Sequence, residues 1–287
     1  VSFDLHTHSR WSDGTTTPGT NAALAARAGL LGVALTDHDN LGGWPEMVEA
    51  CAHRGIEFVP GIELSTRDCG RSVYLLGYWV NPDDEPLVRH LALRRAMRER
   101  QAAEMLEKLH DAGIAVTLER VRAVAGGAPL GRLHIAAALV EISVVRDVQE
   151  AFDRWIGEGC PAYVATAALT PERGTALIMA AGGVAVLAHP ERSGIDEDLL
   201  DRLAGAGIAA VEADHPNHDK DVALRWRHAA RERGLLITGS SDFHGTRKTA
   251  RIGERTTPDH VVEALRAQKG RGRTPGPCHM RQEVRSW

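Results

Sequence analysis

Four cysteines occur in 287 residues, Cys51, Cys69, Cys160 and Cys278, and no two of them form a C-x-x-C pair. Neither a zinc knuckle nor a disulfide framework is indicated, and a reducing compartment suits the chain. No apolar run reaches the roughly 18 residues that a membrane span needs, and no basic-apolar leader precedes the first strand-like run. The expectation is a soluble, unsecreted, cytoplasmic protein with no membrane partner. A strong excess of either charge is also missing. The net charge of −4 gives no general attraction to nucleic acid, although a local basic patch can still meet an anionic substrate. The motifs G-x-x-x-x-G-K-[ST], G-x-G-x-x-G after a strand and G-x-S-x-G are absent, which removes support for nucleotide-driven motors, dinucleotide oxidoreductases and serine hydrolases.

What remains is an ordinary folded composition, 43% hydrophobic and 25% charged, long enough for one α/β barrel or two modest domains. Strand-like runs at Phe3–His6, Val33–Thr36, Phe58–Ile62, Val73–Tyr78, Val184–Ala188, Ala209–Glu212 and Leu235–Thr238 alternate with helix-like segments, the pattern of parallel βα units. Helices are expected over Thr20–Ala28, closed by Gly29, and over Asp219–Arg233, closed by Gly234. A last one is expected to have Thr257 as N-cap and Pro258 as its first residue, running to about Lys269. The alternation breaks between residues 83 and 163, where Leu87–Leu109, Leu133–Val140 and Val148–Ile156 show helical spacing. The reading is a discontinuous barrel, residues 1–82 and 164–269, interrupted by a helical insertion. Residues 270–287, rich in Gly, Pro and Arg, are expected to form a flexible tail.

The chemistry-bearing residues fall at strand ends. Asp4-Leu5-His6-Thr7-His8 places two histidines one residue apart, and period-2 alternation points both the same way, so that both can hold one metal ion. Asp13 follows in Ser12-Asp13-Gly14. His38 lies in Thr36-Asp37-His38-Asp39, Glu63 in Gly61-Ile62-Glu63, His189 in Ala188-His189-Pro190, and Asp242 and His244 in Ser241-Asp242-Phe243-His244. In a parallel barrel the C-terminal strand ends share one face, so residues far apart in sequence converge there. Imidazole and carboxylate without thiolate suit Zn²⁺, Mn²⁺ or Fe²⁺. His53, His90, His110, His228, His260 and His279 fall on presumed helices or the tail and carry no assignment.

These ordered motifs resemble the polymerase and histidinol phosphatase (PHP) family of metal-dependent phosphoesterases, over nearly the whole chain up to about residue 268. The insertion, with Gly131-Arg132-Leu133-His134, resembles the subgroup acting on nucleoside 3′,5′-bisphosphates and short RNA 5′ ends. The resemblance implies a distorted seven-stranded (β/α) barrel with a helical insertion domain covering the site, and two or three divalent ions (Mn, Fe or Zn). His6, His8, Glu63 and Asp242 would hold the first; Asp13, His38 and His244 another; His189 with a bridging Glu63 the remaining one. Asp242, His244 and His189 are read as catalytic as well as ligating. The family usually has a further histidine on the fourth strand, where this chain carries Tyr74. A neutral phenol is a poorer ligand, so the ion at Glu63 and His189 is expected to be weak, absent or dependent on substrate phosphate, with plain barrel packing of Tyr74 as the alternative.

Clustered divalent ions answer the slowness of phosphoester hydrolysis by lowering the pKa of a bound water and neutralising phosphoryl oxygens. The reading is attack of a metal-bound hydroxide on a phosphomonoester, the 3′-phosphate of a nucleoside 3′,5′-bisphosphate. Arg132 and His134 are the expected phosphate clamp, since a guanidinium fork matches phosphate geometry, and His215 is expected at the substrate. The run Arg89, Arg94, Arg95, Arg98, Arg100 reads instead as a solvated helix face, because Glu99 and Glu104 are interleaved with it. The alternatives are a 5′-to-3′ exoribonuclease or cyclic-phosphate diesterase, for which a basic groove would speak, and a metal-binding module without catalysis, for which only Tyr74 speaks. The expected partner is a small phosphorylated molecule, a nucleotide above all, with short RNA as the other option. Oligomeric state is not legible.

Overall fold

Short apolar runs become strands here because both of their faces are covered, and the segments between them become helices because their N-termini carry side-chain caps. The computed structural model describes residues 2–270. The tail beyond Gly270 and the expectation made for it lie outside the described residues. In chain order the elements are β1 (Ser2–Asp4), α1 (Pro18–Arg27), β2 (Gly32–Leu35), α2 (Trp44–Ala52), β3 (Glu57–Asp68) and β4 (Arg71–Tyr78). The helical stretch follows with α3 (Glu85–Asp111), α4 (Leu118–Ala125), α5 (Arg132–Glu141) and α6 (Val148–Ala151), which continues as a π-helical turn at Phe152–Ile156. The chain then returns to alternation with α7 (Pro171–Ala180), β5 (Val184–Leu187), α8 (Glu197–Ala206), β6 (Ala210–Asp214), α9 (Lys220–Glu232), β7 (Leu236–Gly239), β8 (Thr257–Pro258) and α10 (Asp259–Arg266). Thr17, Thr170, Asp196 and Asp219 cap α1, α7, α8 and α9 by accepting a backbone N–H of the first turn.

The strands form one sheet in the order β7-β6-β5-β4-β3-β2-β1-β8. Strands β1 to β3 are mutually parallel, as are β5 to β7, but β4 runs antiparallel to both β3 and β5. The expected distorted barrel is present, but its parallel βα pattern breaks at β4, and the reason is local. Only Cys69 and Gly70 separate β3 from β4, and both take positive φ, 46° and 89°. A two-residue loop makes a hairpin, whereas a parallel pair needs a crossover of about a dozen residues.

The sheet closes on itself at its two ends. A parallel bridge joins Thr7 to Phe243. Asp4 accepts N–H bonds from Ser241 (3.0 Å) and Gly253 (2.9 Å). Thr257 completes the seam: its hydroxyl donates to Gly239 O (2.8 Å) and accepts from Gly239 N (3.0 Å). This corrects the expected N-cap. Thr257 and Pro258 pair with β1, and α10 starts at Asp259 without a side-chain cap, because the hydroxyl is committed to a buried backbone pair that has no other partner.

Helices pack outside the sheet, with Leu199, Leu203, Ile178 and Trp226 against Leu75, Leu187 and Val211. The helical stretch has a separate core containing Met105, Leu109, Leu139 and Ile156. Its long helix α3, 27 residues and so about 40 Å long, spans it. The last of its expected helices, Val148–Ile156, is split: one α-helical turn widens into a π-turn at Phe152. Among the described residues no helix is long and apolar enough to cross a membrane.

Thr257→Val keeps the shape but strands two buried backbone groups, so it should lower unfolding free energy by about 1–3 kcal/mol. A urea melt should show a lower midpoint with unchanged slope; an unshifted midpoint would mean that the seam does not depend on this hydroxyl.

Candidate metal centre and substrate cavity

Alternation along β1 and its extension puts Leu5 and Thr7 on the wall side and His6 and His8 on the inner side. The two Nε2 atoms lie 3.0 Å apart. Glu63, at the matching level of β3, brings Oε2 to 3.2 Å from His6 Nε2 and 3.1 Å from His8 Nε2. Asp242, just past β7, brings Oδ1 to 3.4 Å from each. Next to this group, Asp13 lies 3.3 Å from His244 Nε2 and 3.7 Å from His38 Nε2. His189 Nε2 reaches the other oxygen of Glu63 at 3.1 Å. The structure therefore gathers all eight expected ligands, His6, His8, Asp13, His38, Glu63, His189, Asp242 and His244, into adjoining clusters.

Nearly every donor in this floor is buried. Burial opposes ionisation of Glu63, yet the imidazoles of His38 and His6 hold its carboxyl well below the usual range. Burial likewise opposes charge on Asp242, and His244, His6 and Lys248 hold it low. Burial opposes charge on His8, yet Asp242 and Glu63 raise its pKa to about 9, so the carboxylates favour positive charge at this point, and imidazole plus carboxylate is a donor set for divalent ions. The residues present thus fit the ions that the motifs imply.

Behind the ligands stands a group that fixes their tautomers, and Glu212 is its centre. The Glu212 carboxylate accepts from His6 Nδ1–H (3.0 Å), from His189 N (2.8 Å) and from the Ser240 hydroxyl. Burial alone would raise its pKa, but His6 and its hydrogen bond bring it down to about 2. His6 Nδ1–H is committed to Glu212, so Nε2 is left as a lone pair facing the cluster. Although Glu212 is near enough to His6 and His189 to hold an ion with them, its three donors make it a positioning carboxylate. Asp37 does the same on the other side, accepting from Ser9 N (2.8 Å), Ser9 Oγ (2.7 Å) and Ser12 Oγ (2.5 Å). Strain accompanies this order: Asp39, His189 and Asp242 all have positive φ, 49°, 24° and 49°, where non-glycine residues are uncommon.

A cavity of about 430 Å³ opens above the floor, a size suited to a small ligand. Its base carries Asp13, His38, Glu63, His189, Asp242 and His244, and its roof comes from the helical stretch. Arg132 lines it as expected, with its guanidinium 5.4 Å from the Phe152 ring centre and 5.6 Å from that of Tyr163. His134 also lines it, but the backbone holds its ring: Nδ1 accepts from Gly131 N (3.1 Å), and Ser12 provides a further backbone hydrogen bond. Burial and the nearby Arg247 push its pKa to about 4, so it is a neutral strut between α5 and the Asp13 loop, and a weak phosphate clamp. His215, expected at the substrate, is buried beneath Asp242. Its Nδ1 accepts from Asn217 N (3.1 Å), so Nε2–H donates to Asp242 Oδ2 (3.1 Å). His218 packs against it and bonds Ala213 O (2.8 Å).

Two arginines read as solvated are inside the site. Arg98 donates to Asp39 Oδ2 (2.6 Å) and Ser65 Oγ (3.0 Å), and Arg94 Nε lies 3.6 Å from the same carboxylate oxygen. Burial opposes the charge on Asp39, and Arg98 and Arg94 hold it ionised. Helical spacing could show that Arg94 and Arg98 share a face, but not that this face covers an acidic rim. Glu212 left a fainter signal, a lone acid in the apolar run Ala209-Ala210-Val211. Tyr74 sits with its ring 5.4 Å from that of His189 and 5.5 Å from that of His38. Burial and Glu63 raise its pKa, so it stays a neutral phenol beside the third position.

Comparison with known proteins agrees with this geometry. Residues 4–156 match the PHP domain family. The chain is 34% identical over 249 residues to a 3′,5′-nucleoside bisphosphate phosphatase of Chromobacterium violaceum, covering 85% of this chain and 87% of the relative. It is 32% identical over 249 residues to a 5′-3′ exoribonuclease of Haemophilus influenzae, covering 84% and 89%. A solved structure from Bifidobacterium adolescentis, assigned as a metal-dependent phosphoesterase, superposes with a TM-score of 0.87 at 32% identity, over 93% of this chain and 96% of that one.

Replacing His6 and His8 together by Ala should remove most of the metal found in the purified parent by elemental analysis; equal metal in both proteins would refute the ligand assignment. Tyr74→His should add a nitrogen ligand beside Glu63 and His189 and raise occupancy there. Unchanged stoichiometry and affinity in a metal titration would make Tyr74 a packing residue.

Proposed function

The chain belongs to the PHP domain family and is a metal-dependent phosphoesterase for a phosphomonoester-type substrate, and on that premise we propose that it removes the 3′-phosphate from a nucleoside 3′,5′-bisphosphate. The observation that carries this reading is one ligand-sized cavity lined both by the buried donor cluster and by Arg132, which lies beside two aromatic rings. A bisphosphate needs both: donors for the phosphoryl group that leaves, and a fixed cation for the one that stays. Phe152 and Tyr163 add flat apolar surface suited to a base. The kinship with the C. violaceum phosphatase supports the same substrate. A roof formed by the helical domain, residues 83–163, over a barrel of residues 1–82 and 164–269 favours a small molecule over a long strand.

Two or three manganese, iron or zinc ions would be held as the clusters suggest: His6, His8, Glu63 and Asp242 around the first, Asp13, His38 and His244 around the second, His189 and Glu63 at the third. Such ions, when bound, neutralise phosphoryl charge and acidify an attacking water. The protein's own part is positioning. Glu212 and Ser12 orient the imidazoles, and His215 turns Asp242 so that Oδ1 faces the ligand cluster. Asp242, His244 and His189 are the catalytic residues of this reading because they line the cavity and also touch the donor cluster, Asp242 through His6, His8 and His244.

The test is phosphate release from adenosine 3′,5′-bisphosphate against cleavage of a short RNA; faster turnover of the RNA would favour the exoribonuclease instead. Arg132→Ala should cost about 1.5–3 kcal/mol in kcat/KM on the bisphosphate with metal content unchanged. Unaltered kinetics would remove Arg132 from the site.

A further inference from the structure

Asp242 presents two different oxygens. Oδ1 faces His6, His8 and His244 at 3.4 Å each. Oδ2 faces outward, where it accepts from His215 and from the ammonium of Lys248, with Arg192 Nη1 3.7 Å away. Lys248 and Arg192 both line the cavity, with side chains 26% and 50% exposed. Among the described residues Asp242 is the one carboxylate within ion-pair reach of either cation. Glu191, next to Arg192 in the chain, is taken by Arg225 and the Trp226 indole. One carboxylate that also serves the ligand cluster cannot neutralise two cations, so positive charge is left facing the cavity beside the reacting position.

Lys248 is not a loose surface lysine. Gly245 has φ +69°, and a Cβ on it would lie 2.0 Å from Thr15 Oγ1, so only glycine lets this loop lie against the Asp13 loop. Thr246 N then donates to Thr15 Oγ1 (2.9 Å), and Arg247 donates to Asp13 O (2.8 Å). The backbone on which Lys248 sits is thus pinned to the Asp13 loop. Arg192 is held by a turn in which its N–H bonds His189 O (3.1 Å). Its guanidinium, with those of Arg132 and Arg98, also acts electrostatically on the Tyr74 phenol, so cations from both walls converge on the cavity.

We propose that Lys248, seconded by Arg192, recognises the third non-bridging oxygen of a terminal phosphoryl group and so selects phosphomonoesters against phosphodiesters. This rests on the phosphoesterase reading of the site and adds to it the group that sets the ester class. A monoester, whose second pKa is about 6, is a dianion near pH 8. Its third oxygen returns to the ammonium a charge-assisted hydrogen bond for the water that it loses. A diester presents there an uncharged ester linkage, which desolvates the exposed part of Lys248 and returns no charge-assisted bond, and a donor desolvated without compensation penalises the wrong ligand.

The test is calorimetric binding of inorganic phosphate and of dimethyl phosphate, near pH 8, to metal-loaded parent, Lys248→Gln and Lys248→Arg, with metal content measured on each. Lys248→Gln should weaken phosphate by about tenfold to a hundredfold and dimethyl phosphate by less than about threefold, with metal retained, and Lys248→Arg should restore most of the difference. Equal weakening of both anions, or of neither, would overturn the proposal. Loss of metal in Lys248→Gln would overturn it too, by showing that the lysine acts through Asp242. A parent that binds phosphate with this selectivity but hydrolyses no phosphomonoester would sink the functional reading and leave the role of Lys248 standing.

Discussion

Ionised carboxylates and imidazoles packed on a buried floor are the constraint that the rest of this structure serves. Glu63, Asp13 and Asp242 are buried and nonetheless held ionised by the imidazoles around them. Taking such charges from water costs several kcal/mol each unless partners are supplied, so neighbouring elements are arranged to supply them. Glu212 on β6, Asp37 after β2 and His215 after β6 each commit a ring nitrogen, a hydroxyl or a carboxylate oxygen to one orientation. The positive φ of Asp39, His189 and Asp242 is strain held at the same place, sustained by the barrel around it.

The helical domain answers the same electrostatics from above. Helix α3 brings Arg94 and Arg98 down onto Asp39, α5 brings His134 to the Ser12 backbone and Arg132 over the Phe152 and Tyr163 rings, and both rings line the cavity. Arg98–Asp39 is a partly buried ion pair that ties α3 to the loop after β2, and such a pair fixes register more than it adds net stability.

Reversal of β4 decides which of its residues meets the donor cluster. Because β4 runs antiparallel, its N-terminal half, not its C-terminal end, lies at the site, and Tyr74 arrives there opposite Ser65 and beside Ala188. A phenol between His38 and His189 gives bulk and a neutral hydroxyl where an imidazole would give a lone pair. Arg98, Arg132 and Arg192 act electrostatically on that phenol, so this corner of the cavity carries positive charge beside the donor cluster.

The clustering of the eight candidate ligands was legible in the sequence because each is tied to a local signal: His-x-His on a period-2 strand, and acids or histidines at the ends of short apolar runs. Backbone geometry delivers such residues to one barrel face whatever the rest of the chain does. The seven strands and the helical insertion were legible for the same reason, since periodicity is local. The direction of β4, the closing hydroxyl of Thr257 and the π-turn at Phe152 were not, because they depend on a two-residue loop, a sheet edge and a packing demand that periodicity does not encode. Nor were the partners of the charged side chains. Arg98 and Arg89 lie on one helix with similar neighbours in sequence, yet one is buried against Asp39 and the other pairs with Glu85 in solvent. His215 and Arg132 show the same division. The residue types alone allowed either to touch substrate, and only the tertiary structure put one beneath Asp242 and the other in the cavity, because a side chain's electrostatic role is set by which distant charges folding brings within a few ångströms of it.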